Sequence, residues 1–538
     1  MKKPFQPNRQ PSQIELQPLL NLLNSGQLAQ AETGAKNLIN TFPNTLMLYN
    51  ILGIAQERQS KYEDAAASYG KALAIQPNIA EIQFNLGVVL GNLGKIDEAI
   101  RHYRKAIQFK PNLAVAHFNL GIALQGQGKL KEAKLEEAIA AYRKAIALEP
   151  GFFEALGNLG TCLQQQGKLE EAVQVYRQAL AINPDARGHF NLATALRDQG
   201  KLDEAIASYQ KALVIFPNYV AAHNNLGESL RDQGKMQEAV KSYQNALAID
   251  PSNTEANFNI AQFLYDAGKF EQAIPYFEKS QLDDWQERTL HCLYKAEKFA
   301  EFKNQLDQLS TSKKNTSPFL ATLSTHYSTN FGVEDTYNFC KNAMDYVYQN
   351  QIDALASDSQ LLRDLLRDIS NAEIAERKQG RLHYGIQSAG NLFKRPEASF
   401  RTLAALIKKE FQNYRQRFAG ADCELIESFP TELEFTSSWY VKMQRGGHLT
   451  SHIHELGWLS GAVYLAMPQN KANADEGCFA FGTHGDNYPQ KHSNFPENAI
   501  LPNVGDIILF PSSLFHRTIP FNSNEERICI AFDLKPMR

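Results

Sequence analysis

The sequence predicts a multidomain protein in which an all-α repeat solenoid is followed by a β-rich jelly-roll domain, a double-stranded β-helix. Three observations lead to this prediction. Most of the first half repeats itself at a period of about 34 residues, short β-rich runs begin near residue 381, and histidines cluster among those runs. At 538 residues the chain is also too long for one compact core, so at least two domains are expected.

Each row of the repeat has the pattern of two antiparallel helices. In the row Ala80–Leu113 the first helix is expected to end at Gly94, since glycine readily adopts the left-handed conformation that closes a helix. The second helix carries an apolar stripe at i, i+4 and i+7 from Ala99, and it ends before Pro111. Gly87 is small where two helices must approach closely. Because neither helix can bury its stripe alone, neighbouring rows must stack.

About seven good copies of this row cover Leu46–Glu287, and Gln13–Asn44 and Arg288–Gln308 have the pattern of degenerate end caps. Prolines end the successive rows at Pro77, Pro111, Pro150, Pro184, Pro217 and Pro251. The pattern resembles the tetratricopeptide repeat. That resemblance implies a solenoid of helix pairs in which the first helix of each pair lines a concave groove.

An asparagine recurs on the first helix of the rows, immediately before the Leu-Gly position. The six residues are Asn85, Asn119, Asn158, Asn191, Asn225 and Asn259. One side chain per row should form a ladder, and an amide offers one acceptor and two donors to the backbone of an extended peptide. We therefore predict that the ladder binds a protein or extended peptide in the groove. The alternative is that these asparagines only cap or solvate it.

The sequence patterns divide the chain into four approximate segments. Residues 1–12 are predicted to be a loose polar tail and residues 13–308 the repeat solenoid. Residues 309–380 are predicted to be a helical connector, with helix expected over Pro318–Asn371. Residues 381–538 contain one helix followed by short β-rich runs separated by turns, which is typical of a sandwich or barrel.

Three histidines of the last segment have the spacing of a metal site. His452 and His454 are two residues apart, so on a strand their side chains share one face. His516 follows a later β-rich run. A jelly roll that brings them together offers three ligands on one side of a metal ion and leaves the other side open. Arg527 begins the last run, where its guanidinium could bind a dicarboxylate end-on.

The strings SHIHELGWLSGAVYL, GDIILFPSSLFHRTIPF and ERICIAFDL resemble the iron(II)- and 2-oxoglutarate-dependent oxygenase domains found behind tetratricopeptide repeats. The resemblance covers about Arg381–Arg538. It implies that His452 and His516 are iron ligands and that Arg527 holds the distal carboxylate of 2-oxoglutarate.

The sequence departs from this family at the second ligand. Better-known members have a carboxylate two residues after the first histidine, where this chain has His454. Either His454 completes a three-histidine site, or two histidines bind the metal and water or Glu455 fills the third position. Three neutral ligands leave a higher charge on iron, so metal binding is the firmer expectation and turnover the weaker one.

Other side chains of this segment have less specific patterns. His448 and His484 are expected to be structural. The aromatic residues Trp439, Tyr440 and Tyr464 suit either a pocket wall or ordinary core packing.

Charge and cysteine usage narrow the possible partners and the compartment. The net charge of −3 gives no electrostatic reason to expect nucleic acid or an anionic membrane as a partner, and no 18-residue apolar run is present. The six cysteines are scattered without a CxxC pair, which suits reduced, buried thiols in a cytoplasmic protein.

The leading functional hypothesis is an oxygenase that uses Fe(II) and 2-oxoglutarate to hydroxylate a C–H bond, with the repeat groove recruiting a protein or peptide. The main alternative is a non-catalytic repeat adaptor whose jelly roll has lost turnover. A sugar transferase is suggested only by the asparagine ladder, and the C-terminal part offers no nucleotide-sugar site.

Overall fold

The computed structural model describes residues 10–128, 132–312, 316–337, 339–371, 376–377, 380–388, 391–455 and 457–536. Most of the predicted tail, residues 1–9, and residues 129–131 of the predicted repeats lie outside the described residues. The chain divides into two compact units, Met1–Ala256 and Asn257–Arg538. Among the described residues, no helix is both long enough and apolar enough to span a bilayer.

The described residues of the first unit contain fourteen helices that pack as successive pairs. They are α1 (Gln13–Asn24), α2 (Leu28–Thr41), α3 (Leu46–Glu57), α4 (Tyr62–Ile75), α5 (Ala80–Asn92), α6 (Ile96–Phe109), α7 (Ala114–Gly128), α8 (Glu132–Leu148), α9 (Phe153–Gln165), α10 (Leu169–Ile182), α11 (Ala186–Asp198), α12 (Leu202–Ile215), α13 (Val220–Asp232) and α14 (Met236–Ile249). The solenoid of helix pairs is as the sequence predicts.

Glycine and tyrosine fix how closely the two helices of a row approach. A Cβ atom added to Gly87 on α5 would lie 2.7 Å from Cε1 of Tyr103 on α6, so any side chain there would displace the buried ring. The same contact joins Gly53 to Tyr69, Gly121 to Tyr142, Gly160 to Tyr176 and Gly227 to Tyr243. Gly94 follows α5 with a φ of +74°, the left-handed conformation that closes the helix.

The second unit begins with helices and continues with strands. Its helices are α15 (Thr254–Asp266), α16 (Phe270–Ser280), α17 (Trp285–Lys295), α18 (Phe299–Ser312), α19 (Pro318–Phe331), α20 (Gln360–Asn371), α21 (Ala398–Arg417) and α22 (Glu424–Glu427). Its strands are β1 (Tyr348–Gln351), β2 (Glu376–Arg377), β3 (Leu382–Ser388), β4 (Leu433–Leu449), β5 (Leu459–Ala466), β6 (Phe479–Gly482), β7 (Glu497–Ile500), β8 (Asp506–Pro511), β9 (Phe515–Thr518) and β10 (Arg527–Pro536).

The strands form two antiparallel sheets. One has seven strands in the order β1-β8-β5-β10-β4-β3-β2, and the other has three in the order β7-β6-β9. Strands β5 and β8 are buried along almost their whole length, which places them in the core. A strand-rich domain therefore follows the repeats, as predicted, and its jelly-roll winding stays a prediction.

The segment predicted to be a helical connector differs from that prediction at its centre. Tyr348–Gln351 is strand β1, which pairs with β8 at the edge of the seven-stranded sheet. Its side chains alternate between half-buried and exposed, and Tyr348 and Asn350 both donate hydrogen bonds to Glu410 on α21 at 2.9 Å. A four-residue polar strand carries no apolar alternation, so the sequence pattern did not reveal it. The predicted domain boundaries themselves stay predictions.

Candidate metal centre

The three predicted histidines meet in one place. One ring nitrogen from each of His452, His454 and His516 lies within 4.8 Å of the other two. His516 is on β9, and His452 follows the end of β4. These two residues form an isolated antiparallel bridge, with backbone N–O distances of 2.9 and 3.1 Å. His454 lies in the same connection between β4 and β5. The shared site therefore comes from a strand end and a loop rather than from one continuous strand.

Hydrogen bonds orient all three imidazoles in the same way. Nδ1 of His452 lies 2.8 Å from the Thr450 carbonyl oxygen, and Nδ1 of His516 lies 3.2 Å from that of Leu514. Nδ1 of His454 contacts the carboxylate of Asp533. When Nδ1 of each ring donates to its acceptor, Nε2 is the ring nitrogen left to bind a metal.

Burial favours the neutral form of His452 and His516. It lowers the pKa of His452 to about 3, and the neighbouring His454 lowers it further. It also holds the pKa of His516 well below its ordinary value, with contributions from His452 and His454. A neutral imidazole is the protonation state that coordinates a metal ion, so this environment prepares the rings as ligands.

Asp533 on β10 is a site residue that the sequence analysis missed. It accepts hydrogen bonds from His454, from Ser460 Oγ at 2.8 Å and from Ser437 Oγ at 2.9 Å. Burial raises the pKa of Asp533, but nearby His454 and these hydrogen bonds outweigh that effect and lower it overall. A period-two signal was available, because Asp533 shares a strand face with Arg527 six residues earlier.

The cavity beside the histidines has a volume of about 350 Å³, and Arg527 lines it together with all three rings. Arg527 is 2% exposed, its Nε donates to the Gly477 carbonyl at 3.2 Å, and its guanidinium lies 5.1 Å from the centre of the Tyr464 ring. Within the described part of the chain it forms no ion pair with a carboxylate.

Two other arginines of the same cavity wall are paired. Arg381 contacts Asp486 at 3.0 Å, and Arg517 contacts Glu497 at 2.7 Å. Arg527 is thus distinguished from its neighbours by burial without an anion. A buried cation of this kind is costly unless an anion completes it.

The remaining predicted residues take different positions. Trp439 and Tyr464 line the cavity, whereas Tyr440 is buried outside it. Glu455 is exposed and does not line the cavity. His448 stacks on His383 with ring centroids 4.6 Å apart, which is a structural contact.

His484 also has structural contacts, since its Nδ1 lies 2.8 Å from Nε2 of His326. Gln387 on β3 lines the cavity beside the three histidines, and its buried Oε1 has no hydrogen-bond partner among the described residues.

The ladder asparagines of the first unit are half-buried on the first helices of their rows. Asn158 and Asn191 line one groove pocket of about 150 Å³. Burial raises the pKa of Tyr69, Tyr142 and Tyr209, and a hydrogen-bonding contact from Asn85, Asn158 or Asn225 in the following row opposes that rise. Asn259 belongs to the second unit and is buried there.

The donor set fits a first-row transition-metal ion such as Fe(II). Three clustered imidazole nitrogens suit such ions, and every ring has a hydrogen-bond partner that fixes its orientation. The cavity also leaves one side of the cluster open beside Arg527. The histidines could therefore hold the metal while the cavity holds a small anionic ligand.

The family model described as "Putative 2OG-Fe(II) oxygenase" matches residues 437–533. Tetratricopeptide-repeat models match residues 58–94, 92–128, 130–195, 176–220, 190–254 and 230–286. No curated protein matches the chain.

Among solved structures, the chain is similar to the C-terminal part of a TPR repeat-containing protein from Cytophaga hutchinsonii. The two are 17% identical over 45% of this chain and 98% of that one, with a TM-score of 0.40. It is also similar to YrrB, described as a TPR protein with an unusual peptide-binding site, at 22% identity, 36% and 96% coverage and a TM-score of 0.32. MamA from Desulfovibrio magneticus RS-1 matches at 23% identity, 32% and 96% coverage and a TM-score of 0.30. The chain is therefore a tetratricopeptide-repeat protein with a C-terminal domain of the family described as putative 2OG-Fe(II) oxygenase.

Proposed function

We propose that the C-terminal domain is an Fe(II)- and 2-oxoglutarate-dependent oxygenase that hydroxylates a C–H bond of a protein or peptide recruited by the repeats. One observation carries the catalytic part of this proposal. Among the described residues, a buried arginine that has no carboxylate partner lines the same cavity as a cluster of three histidines.

His452, His454 and His516 would hold the iron through Nε2, because their Nδ1 atoms are already engaged. When bound, iron and 2-oxoglutarate supply the oxidising chemistry, in which one atom of O2 enters succinate, the other enters the hydroxylated product, and carbon dioxide is released. The protein would position these ligands, and burial would keep His452 and His516 neutral.

Arg527 would bind the distal carboxylate of 2-oxoglutarate. Its guanidinium offers two parallel N–H donors to a carboxylate, and its position over the Tyr464 ring fixes the plane of that fork. The apolar walls of the cavity include Phe479 and Phe510, which limit the access of water. In such surroundings the pairing of a carboxylate with Arg527 is stronger than it would be in solvent.

The repeats are proposed to supply the protein or peptide substrate. This part of the proposal is supported by the groove pocket that Asn158 and Asn191 share, because amide groups can pair with a peptide backbone. The contacts of Asn85, Asn158 and Asn225 with tyrosines use only part of their hydrogen-bonding capacity.

The test is the release of succinate from 2-oxoglutarate by the purified full chain with Fe(II) and ascorbate. We expect release by the wild type and none above background by His516→Ala, which should also fail to retain iron. His448→Ala is the matched control, because this histidine stacks on His383 outside the cavity and should leave release unchanged. Full turnover by His516→Ala would overturn the proposal. Tight binding of iron and 2-oxoglutarate by the wild type without any succinate would favour the adaptor.

A further inference from the structure

We propose that Asp533 is a positioning residue that supplies negative charge to the metal site through His454. The inference rests on the proposed metal site and adds a residue to it. The Asp533 carboxylate would act from behind the imidazole ring, through its contact with Nδ1.

Three side-chain donors converge on the carboxylate of Asp533. It lies opposite Ser437 on β4 and Ser460 on β5, so three neighbouring strands meet at one row. Ser437 and Ser460 both donate to it, and so does Nδ1–H of His454. Ser460 Oγ also lies 2.7 Å from Ser512 Oγ, which can donate to it in turn. A carboxylate that only accepts hydrogen bonds is in its charged form.

Among the described residues, no arginine or lysine forms an ion pair with Asp533, and its closest imidazole contact is Nδ1 of His454. Its side chain is 14% exposed, and a largely buried carboxylate among neutral donors is costly. A metal cation on Nε2 of His454 would balance this charge across the imidazole ring. The arrangement of carboxylate, imidazole and metal raises the basicity of a histidine ligand and fixes its orientation.

The other two histidines lack such a partner. Nδ1 of His452 and Nδ1 of His516 each face a neutral backbone carbonyl oxygen. His454 should therefore be the strongest of the three donors. A site of three neutral ligands would regain the negative charge of a carboxylate ligand without direct contact between that carboxylate and the metal.

The experiment measures the affinity of the metal-free full chain for Co(II), which reports binding through its visible absorption. Asp533→Asn keeps the size of the side chain and removes its charge. We expect it to weaken Co(II) binding by roughly 10- to 100-fold and to change the Co(II) spectrum. Ser437→Ala, which removes one donor but keeps the carboxylate, should change the affinity much less.

A double-mutant cycle separates action through His454 from a general effect on the fold. In a His454→Ala background, Asp533→Asn should leave the remaining Co(II) affinity unchanged. Wild-type affinity and spectrum in a folded Asp533→Asn protein would overturn the inference while leaving the metal site intact. If that variant does not fold, Asp533→Ser takes its place with the same expected loss. Failure of the wild type to bind Co(II) would overturn both this inference and the proposed metal site.

Discussion

Charged side chains have different environments in the repeats and in the cavity beside the three histidines. In the first unit, arginines pair with glutamates of the next row and both partners stay about half exposed, as in Arg104–Glu137 at 2.5 Å and Arg177–Glu204 at 2.7 Å. In the cavity Arg527 is 2% exposed and has no carboxylate partner among the described residues. Exposed pairs are worth at most about 1 kcal/mol each, whereas an unpaired buried charge costs several kcal/mol.

The difference between the two regions indicates which charged side chains depend on a ligand. Each arginine of these pairs in the repeats is neutralised by a glutamate and needs no ligand. The pairs therefore give little information about what the groove binds. In the cavity, Arg527 has no carboxylate partner among the described residues, so it is the position at which we propose that an anion binds. A protein that keeps a guanidinium buried at a cost to its own stability must recover that cost when a ligand binds.

The largest change in ligand binding is expected from substitution of Arg527. Arg527→Met removes a buried charge and keeps an apolar side chain of similar length, so the ligand-free protein should melt no lower than wild type. Binding of 2-oxoglutarate should weaken by roughly 2–4 kcal/mol, because two charge-assisted hydrogen bonds are lost. Anaerobic thermal melts with and without 2-oxoglutarate measure both quantities.

Arg517→Met is the matched control, because Arg517 lines the same cavity but already pairs with Glu497. It should retain most of the stabilisation by 2-oxoglutarate. Equal losses in both variants would mean that burial without a partner does not mark the anion site.

A smaller effect is expected where the repeats depend on packing rather than on charge. Gly157 and Gly160 lie on the same helix, α9, but only Gly160 packs against a ring: an added Cβ would lie 2.6 Å from Cε1 of Tyr176. Gly157→Ala should stabilise the chain by up to about 1 kcal/mol through helix propensity. Gly160→Ala should destabilise it by roughly 1–3 kcal/mol, because the buried ring must move.

Urea unfolding of the two alanine variants measures the difference directly. Equal stability of the two would show that the glycine–tyrosine contact does not set the spacing of the helices.

The fold was largely predictable because each row of the repeat places the same demand on the same positions. The helix pairs, Gly94 as a helix-closing residue and the small residue at Gly87 follow from that repetition. The strand β1 was not predictable, since Tyr348–Gln351 is polar and short and pairs with β8 more than 150 residues away. Its pairing depends on tertiary context rather than on local pattern.

The site was predictable only in part. Spacing on the chain is enough to suggest His452, His454 and His516. Trp439 and Tyr440 are neighbours on β4, so their side chains point to opposite faces of the strand, and only Trp439 lines the cavity. The sequence did not show which of these two faces is the cavity face. Period-two alternation could place Asp533 on the strand face of Arg527, but it could not give the contact with His454, which joins residues 79 positions apart.

The smallest effect per residue is expected along the asparagine ladder. We expect Asn119→Ala with Asn191→Ala, and separately Asn158→Ala with Asn225→Ala, to weaken binding of a peptide selected on the wild-type repeats. Each lost hydrogen bond is worth about 0.5–1.5 kcal/mol, so pairs of substitutions are needed to reach a clear loss. Fluorescence anisotropy with the labelled peptide measures the affinity.

The two pairs should differ in stability, which separates the binding role from the structural one. Asn158 and Asn225 contact the hydroxyls of Tyr142 and Tyr209, so their replacement should lower the circular-dichroism melt slightly as well as the affinity. The other pair should lower the affinity with a nearly unchanged melt. Arg177→Ala is the control for the exposed ion pairs, and any change that it causes in the melt should vanish at high salt. Unchanged peptide affinity in both asparagine pairs would mean that the ladder serves only the contacts between rows, and the recruiting surface would then have to lie elsewhere on the repeats.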